Sequence, residues 1–270
     1  MLDIIQNLNP VIGAFIACLF TWGITMLGAS VVFLFKKVNK NIMDAMLGFA
    51  AGVMISASFF SLLNPAIKMA DSLNMISWVI CTIGFMCGGI LLYIGDKIFN
   101  ILDKKIIKKD ITNNKQSLKR CLMLIFSITL HNIPEGLAVG VAFGSIIYGL
   151  DGATFSSACL IALGIGLQNF PEGTAVSVPL RREGLSRKKS FIYGSLSGIV
   201  EPISGVIGAL LVLKVQNLMP FLLSFAAGAM IYVVIEELIP ESQTNKKKDL
   251  MALFTLIGFN IMMILDISLG

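Results

Sequence analysis

The sequence predicts an all-α polytopic membrane protein, a single bundle of eight transmembrane helices in which the termini fall on the same side. Three observations predict it. Hydrophobic residues make up 56% of the 270-residue chain and charged residues only 14%, a balance that leaves too little polar surface to coat a soluble globule. The apolar residues are gathered into runs of about 20, the length a helix needs to cross roughly 30 Å of hydrocarbon. The basic residues alternate, with 19 of the 21 lysines and arginines in every second connection and 2 in the others. Cytoplasmic loops retain positive charge, so the four basic connections are expected inside and both termini outside.

The spans are read at about 10 to 35, 43 to 63, 76 to 97, 120 to 148, 153 to 180, 190 to 213, 218 to 240 and 249 to 269. The first carries only small polar residues, Thr21, Thr25 and Ser30, of the kind that let membrane helices approach closely. It lacks a basic leader and a cleavage site, so it is expected to span rather than to be removed. The second contains Phe49-Ala50-Ala51-Gly52-Val53-Met54-Ile55, and the seventh contains Phe225-Ala226-Ala227-Gly228-Ala229-Met230-Ile231. These two run in opposite directions through the bilayer, so the repeat is inverted. Beyond the third span, the Lys-rich stretch from 98 to 118 reads as a basic cytoplasmic loop that fixes topology and lies near anionic headgroups. The Arg181 to Lys189 stretch reads the same way. The sixth span carries Glu201-Pro202 between Ser197 and Ser204. At the end of the seventh stand Glu236, Glu237, Pro240 and Glu241, read first as interfacial or helix-terminal charges, with a place on an exit path as the alternative. In the eighth, Asp266 reads as solvated near the outer surface.

Chemistry concentrates in the fourth and fifth spans. His131-Asn132-Ile133-Pro134-Glu135-Gly136 in one is echoed by Gln168-Asn169-Phe170-Pro171-Glu172-Gly173 in the other. A carboxylate in mid-span costs about 2.5 to 3.5 kcal/mol on insertion scales unless it meets a partner or a water-filled path, so two at matching places indicate a site. The four-residue spacing puts His131 with Glu135, and Gln168 with Glu172, on one helix face. Both motifs are equidistant from the turn at Asp151-Gly152. An antiparallel hairpin would therefore set His131 level with Glu172 and Glu135 level with Gln168. Pro134 and Pro171 leave the carbonyls of Leu130 and Leu167 without helical donors, the kind of opening with which transporters hold ions at the midplane.

His131 is the only histidine in the chain. A lone histidine is commonly a hydrogen-bonded core residue, and the whole constellation read blandly is a polar network that locks the bundle. Its place four residues before one buried glutamate and opposite another favours a metal ligand. Imidazole with carboxylates suits zinc, and also iron, manganese or cobalt. The amides of Asn132, Gln168 and Asn169 add oxygen donors without adding charge, and Glu201 is placed at the same depth. A cage without thiolates suits an ion that must leave again.

Other features point away from alternative classes. The net charge of +5 comes from short loops, so no nucleic-acid partner is expected. Cys18, Cys81, Cys87, Cys121 and Cys159 all lie in apolar runs without a Cys-x-x-Cys and read as packing residues. No prosthetic group and no catalytic residue are expected, the metal being cargo.

The paired HNxPEG and QNxPEG motifs, the Val200-Glu201-Pro202 segment and the FAAGxMI repeats resemble the ZIP (Zrt/Irt-like protein) metal-transporter family, in particular its bacterial GufA-like branch. The resemblance covers essentially all eight spans. It implies a three-plus-two-plus-three helix arrangement and a homodimer in a bacterial plasma membrane. It also implies movement of zinc, iron, manganese, cobalt or cadmium toward the cytoplasm. One metal position would use His131, Glu135, Gln168 and Glu172. A neighbouring one would use Asn132, Glu135, Asn169, Glu172 and Glu201, the glutamates bridging. The chain departs from the family where many members carry histidine at Gln168 and some carry Asp at Asn169. It has no histidine-rich loop, and Ser61 and Asn64 stand where some relatives have carboxylates that admit metal. Two rival readings stay open. An intramembrane metal-dependent hydrolase lacks a His-Glu-x-x-His signature; a metal-binding membrane sensor would bind without transport.

Overall fold

Helical runs this apolar have no water to satisfy their backbone, so each must close its own hydrogen bonds within the segment. The computed structural model, which describes residues 9–34, 39–107, 113–182 and 184–269, meets that demand with helices alone among the described residues. They are α1 (Pro10–Leu34), α2 (Lys40–Ala57), α3 (Asn64–Ser72), α4 (Ser77–Ile107), α5 (Asn113–Ser145), α6 (Phe155–Arg182), α7 (Arg187–Leu196), α8 (Val200–Lys214), α9 (Met219–Val233), α10 (Ile239–Ser242) and α11 (Lys248–Leu269). Wide π-helical turns join α2 to α3 (Ser58–Leu63) and α9 to α10 (Val234–Leu238). The eight expected spans are thus α1, α2 with α3, α4, α5, α6, α7 with α8, α9 with α10, and α11.

Seven of these segments are long and apolar enough, by length and composition, to cross a membrane. The other is α6, 28 residues long, whose apolar character is diluted by Gln168, Asn169, Glu172 and Thr174. Helix α4 continues to Ile107 and α5 begins at Asn113, so much of the basic 98 to 118 stretch is helical; residues 108–112 lie outside the described residues. Asn39 caps α2 by accepting from the Asn41 amide at 2.9 Å, and Ser186 caps α7 by accepting from Lys189 at 3.3 Å, which satisfies helix-end donors.

Packing follows the inverted repeat. The most extensive pairings are α1 with α6, α5 with α8, α4 with α9 and α2 with α11. The repeated glycines explain the last two. A Cβ on Gly52 would collide with the Thr255 carbonyl, and one on Gly228 with the Phe85 carbonyl; reciprocally, Gly258 lies on Phe49 O and Gly88 on Phe225 O. The small residue at this place is therefore what lets each pair of backbones touch.

The π turns obey the same symmetry and have a local cause. Pro65 and Pro240 follow them and carry no N–H. The residues just before, Asn64 and Ile239, donate to carbonyls five positions back, Phe59 O and Val234 O, widening the turn. Asp96 and Asp266 each stand eight residues beyond Gly88 and Gly258, beside these turns on opposite ends of the molecule. Asp266 is not simply solvated: it accepts from Ser61 Oγ at 2.6 Å, because the π turn brings Ser61 onto α11. Of the cysteines, Cys18 and Cys81 are buried while Cys87 and Cys159 lie on exposed faces; the side chain of Cys121 lies outside the described residues.

Candidate metal centre

The centre is assembled from α1, α5, α6 and the break between α7 and α8. All seven side chains singled out in the sequence, His131, Asn132, Glu135, Gln168, Asn169, Glu172 and Glu201, are buried. The expected hairpin register is met at one rung: Gln168 Nε2 donates to Glu135 Oε1 across α5 and α6. Both helices run on through Pro134 and Pro171. The interruption falls elsewhere, at Ser197–Ile199 in the sixth span.

That break has a chain of local causes. Pro202 has no N–H to give Gly198 O, so Glu201 N takes that carbonyl instead, at 3.0 Å. Ser197 O, which would have received Glu201 N in a continuous helix, is left open. Asn132 Nδ2 fills it at 3.0 Å. Discontinuous helices of this kind are how membrane proteins place polar backbone at a buried site.

Glu201 occupies the first turn of α8. Asn169 Nδ2 donates to both its oxygens at 3.0 Å and faces Thr21 O at 3.2 Å. Thr21 Oγ1 donates to Glu201 Oε2. Thr25 Oγ1 lies between Thr21 O (3.3 Å) and Glu201 Oε1 (3.4 Å). Thr21 and Thr25, read from sequence as packing residues, are therefore polar members of the site. They belong to a buried stripe of small side chains on α1 that includes Ala14, Cys18, Gly28 and Val32.

Each amide spends its nitrogen on a protein acceptor, and this fixes which way it faces. The oxygens are what remain. Asn132 Oδ1, Glu135 Oε2, Gln168 Oε1, Asn169 Oδ1 and Glu172 Oε1 are all buried and accept no hydrogen bond. Five unsatisfied oxygens from two six-residue motifs form a donor set suited to a cation. The carboxylates sharpen this, since Glu135, Glu172 and Glu201 are close enough to repel one another. Like charges in a low-dielectric interior are costly, and a divalent cation offsets them.

His131 goes elsewhere. Its Nδ1 lies 3.5 Å from Glu237 Oε2, and the ligating atoms of Asp96, His131 and Glu237 fall within 4.8 Å of one another. His131 is not brought against Glu172; both instead approach Glu237. The described side chains thus form a chain of groups from Glu201 through Glu135 and Glu172 to Glu237, His131 and Asp96. The sequence alone leaves Glu237 between an interfacial charge and an exit-path residue and gives Asp96 no separate role. An acid inside a predicted span was signal enough for both, but the spacing of the paired motifs drew the expected ligands onto α5 and α6.

The chain matches the sequence model of a family described as ZIP Zinc transporter over residues 8–121 and 104–266. It is 38% identical to zinc transporter ZIP11 of Xenopus tropicalis, over 98% of this chain and 100% of that protein. Zinc transporter ZupT of Streptococcus mutans is 34% identical over 88% of this chain and 90% of its own length. Zinc transporter GufA of Myxococcus xanthus is 31% identical over 94% and 98% respectively.

Proposed function

The chain belongs to the ZIP zinc transporter family, and from that premise we propose that it carries divalent transition-metal ions, zinc foremost, across a cell membrane into the cytoplasm. The observation that supports this best is the set of five buried, unsatisfied oxygens lying among three mutually repelling carboxylates. A cation arriving from the outer side exchanges water for Glu135, Gln168 and Glu172, with Asn132 and Asn169 presenting further oxygens. It then passes by way of Glu237 to His131 and Asp96 and is released inward as one group of helices rocks against the other. Zinc takes imidazole and carboxylate together; the oxygen-rich midplane also admits iron, manganese, cobalt or cadmium. The neighbouring ion position at Asn132, Glu135, Asn169, Glu172 and Glu201 depends on the state of Glu201.

In this reading α4's C-terminal end, the start of α7 and the π-turn-distal ends of α2 and α11 face the cytoplasm and both termini lie outside, which the distribution of basic residues among the connections supports. A homodimer would use the exposed apolar faces of α4 and α11, which include Trp78, Met86, Leu253 and Ile264. The similar proteins are all named as transporters, which favours transport over the hydrolase reading.

The test is zinc or cadmium influx into proteoliposomes. Glu135→Ala and Glu172→Ala should lower influx by more than about 10-fold while the purified variants keep their helix content. Undiminished influx in either would remove the midplane site from the mechanism, and metal binding without flux in wild type would favour the sensor.

A further inference from the structure

We propose that Glu201 is a positioning residue, clamped by Thr21, Thr25 and Asn169, and that this clamp limits the midplane centre to one metal ion at a time. The proposal rests on the reading of Glu135 and Glu172 as cargo ligands and concerns how many ions those ligands share. A second ion bridged by the two glutamates would need Glu201 as its outer ligand. A carboxylate has about four acceptor positions on its two oxygens. In this chain Oε1 faces Asn169 Nδ2 at 3.0 Å and Thr25 Oγ1 at 3.4 Å, while Oε2 faces Asn169 Nδ2 at 3.0 Å and accepts from Thr21 Oγ1. These donors carry four hydrogens between them and share them with Cys18 O and Thr21 O; a cation that takes a lone pair so used must displace its donor.

Asn169 cannot turn over to release it. Its amide nitrogen also faces Thr21 O at 3.2 Å, and a backbone carbonyl only accepts. Reversing the amide would set Oδ1 against three oxygens at once. Asn169 therefore keeps its nitrogen on Glu201 and leaves its oxygen, buried and without a partner, as all it can offer an ion. Gly198 protects the arrangement from the other side, since a Cβ there would stand 2.9 Å from Glu201 Oε1 and would press the carboxylate out of the clamp. Thr21, Asn169 and Glu201 come from α1, α6 and α8, so the clamp also sets the mutual position of the three helices beside the ligands.

Aspartate at 169 reverses each of these terms. It supplies no donor, adds a charge beside Glu201, and turns the same place into an incomplete two-carboxylate site that a second cation completes.

The experiment is zinc stoichiometry on purified full-length protein in lipid nanodiscs, after metal removal. It is run in an Asp96→Asn, Glu237→Gln background, so that the His131 cluster is deprived of its acids. The parent should bind about one zinc per chain, Glu201→Gln also about one, and Asn169→Asp about two. A parent that binds about two ions, falling to about one in Glu201→Gln, overturns the proposal by making Glu201 a ligand. Failure of Asn169→Asp to take a second ion also overturns it. Because those variants could perturb folding, influx kinetics in the otherwise native protein provide a second reading. Thr21→Val should raise KM by about 10-fold with Thr21→Ser restoring it, and a Thr21→Val indistinguishable from wild type would count against the clamp. Glu135→Gln and Glu172→Gln serve as the separate arm. If the parent's single zinc survives in both, it is the cargo-ligand reading that fails.

Discussion

Asn132, Gln168 and Asn169 show how a neutral amide in an apolar interior can be fixed by its nitrogen and keep its oxygen open. Each gives its nitrogen to a fixed acceptor, Ser197 O, Glu135 Oε1 or the Glu201 carboxylate, and so holds its oxygen without partner. The sequence foretold the Glu135–Gln168 rung, because spacing about a turn determines which residues of an antiparallel pair lie level. It also foretold that His131 would be buried. It did not foretell the company His131 keeps, because a histidine on α5 can swing toward any neighbour, and the neighbour that takes it arrives from α9. This gives a residue-scale prediction. Glu237→Gln and Asp96→Asn should each lower the maximal rate of uptake by about 10-fold while zinc binding at the midplane persists, as measured by paired influx and equilibrium binding. Loss of binding in both would place these acids in the midplane site itself.

Among the elements, the broken sixth span and the two π turns matter most. All three are prolines at work: Pro202 withholds a donor from Gly198 O, and Pro65 and Pro240 end turns that have slipped to a wider bond pattern. Pro202→Ala should allow Ser197 O to regain Glu201 N, which evicts Asn132 Nδ2. Zinc affinity at the centre should fall by about 10-fold with little change in thermal stability, read by competition binding and melting. Helix contact is sharper still. Gly228→Ala places a methyl group against the Phe85 carbonyl, and overpacking of this kind costs about 1 to 3 kcal/mol. The melting temperature should fall by several degrees, roughly 2 to 4 °C for each kcal/mol in a chain of this size. Gly23→Ala, with nothing within 4 Å of the added carbon, is the control and should melt as wild type does. The glycine repeats were visible in the sequence. That they meet carbonyls of α4 and α11, rather than each other, was not.

For the whole molecule, two halves of opposite orientation place equivalent carboxylates, Asp96 and Asp266, beside equivalent turns at opposite ends. The proposed orientation has a direct check. A cysteine at Asp151 should react with an impermeant maleimide added outside intact cells, and one at Lys188 only after permeabilisation; the opposite pattern would invert the topology. Both positions are exposed. By itself the sequence determined the helical class, the number of spans, the inverted repeat and which two helices carry the paired polar motifs. These follow from hydropathy, charge and spacing, which act along the chain and need no knowledge of what lies beside it. Only the tertiary structure decided that His131 turns to Asp96 and Glu237, that Thr21 and Asn169 hold Glu201, and that the open carbonyl belongs to Ser197. Those are contacts between helices distant in sequence, and a hydrogen-bonding group in a low-dielectric interior takes whichever partner the packing brings within reach.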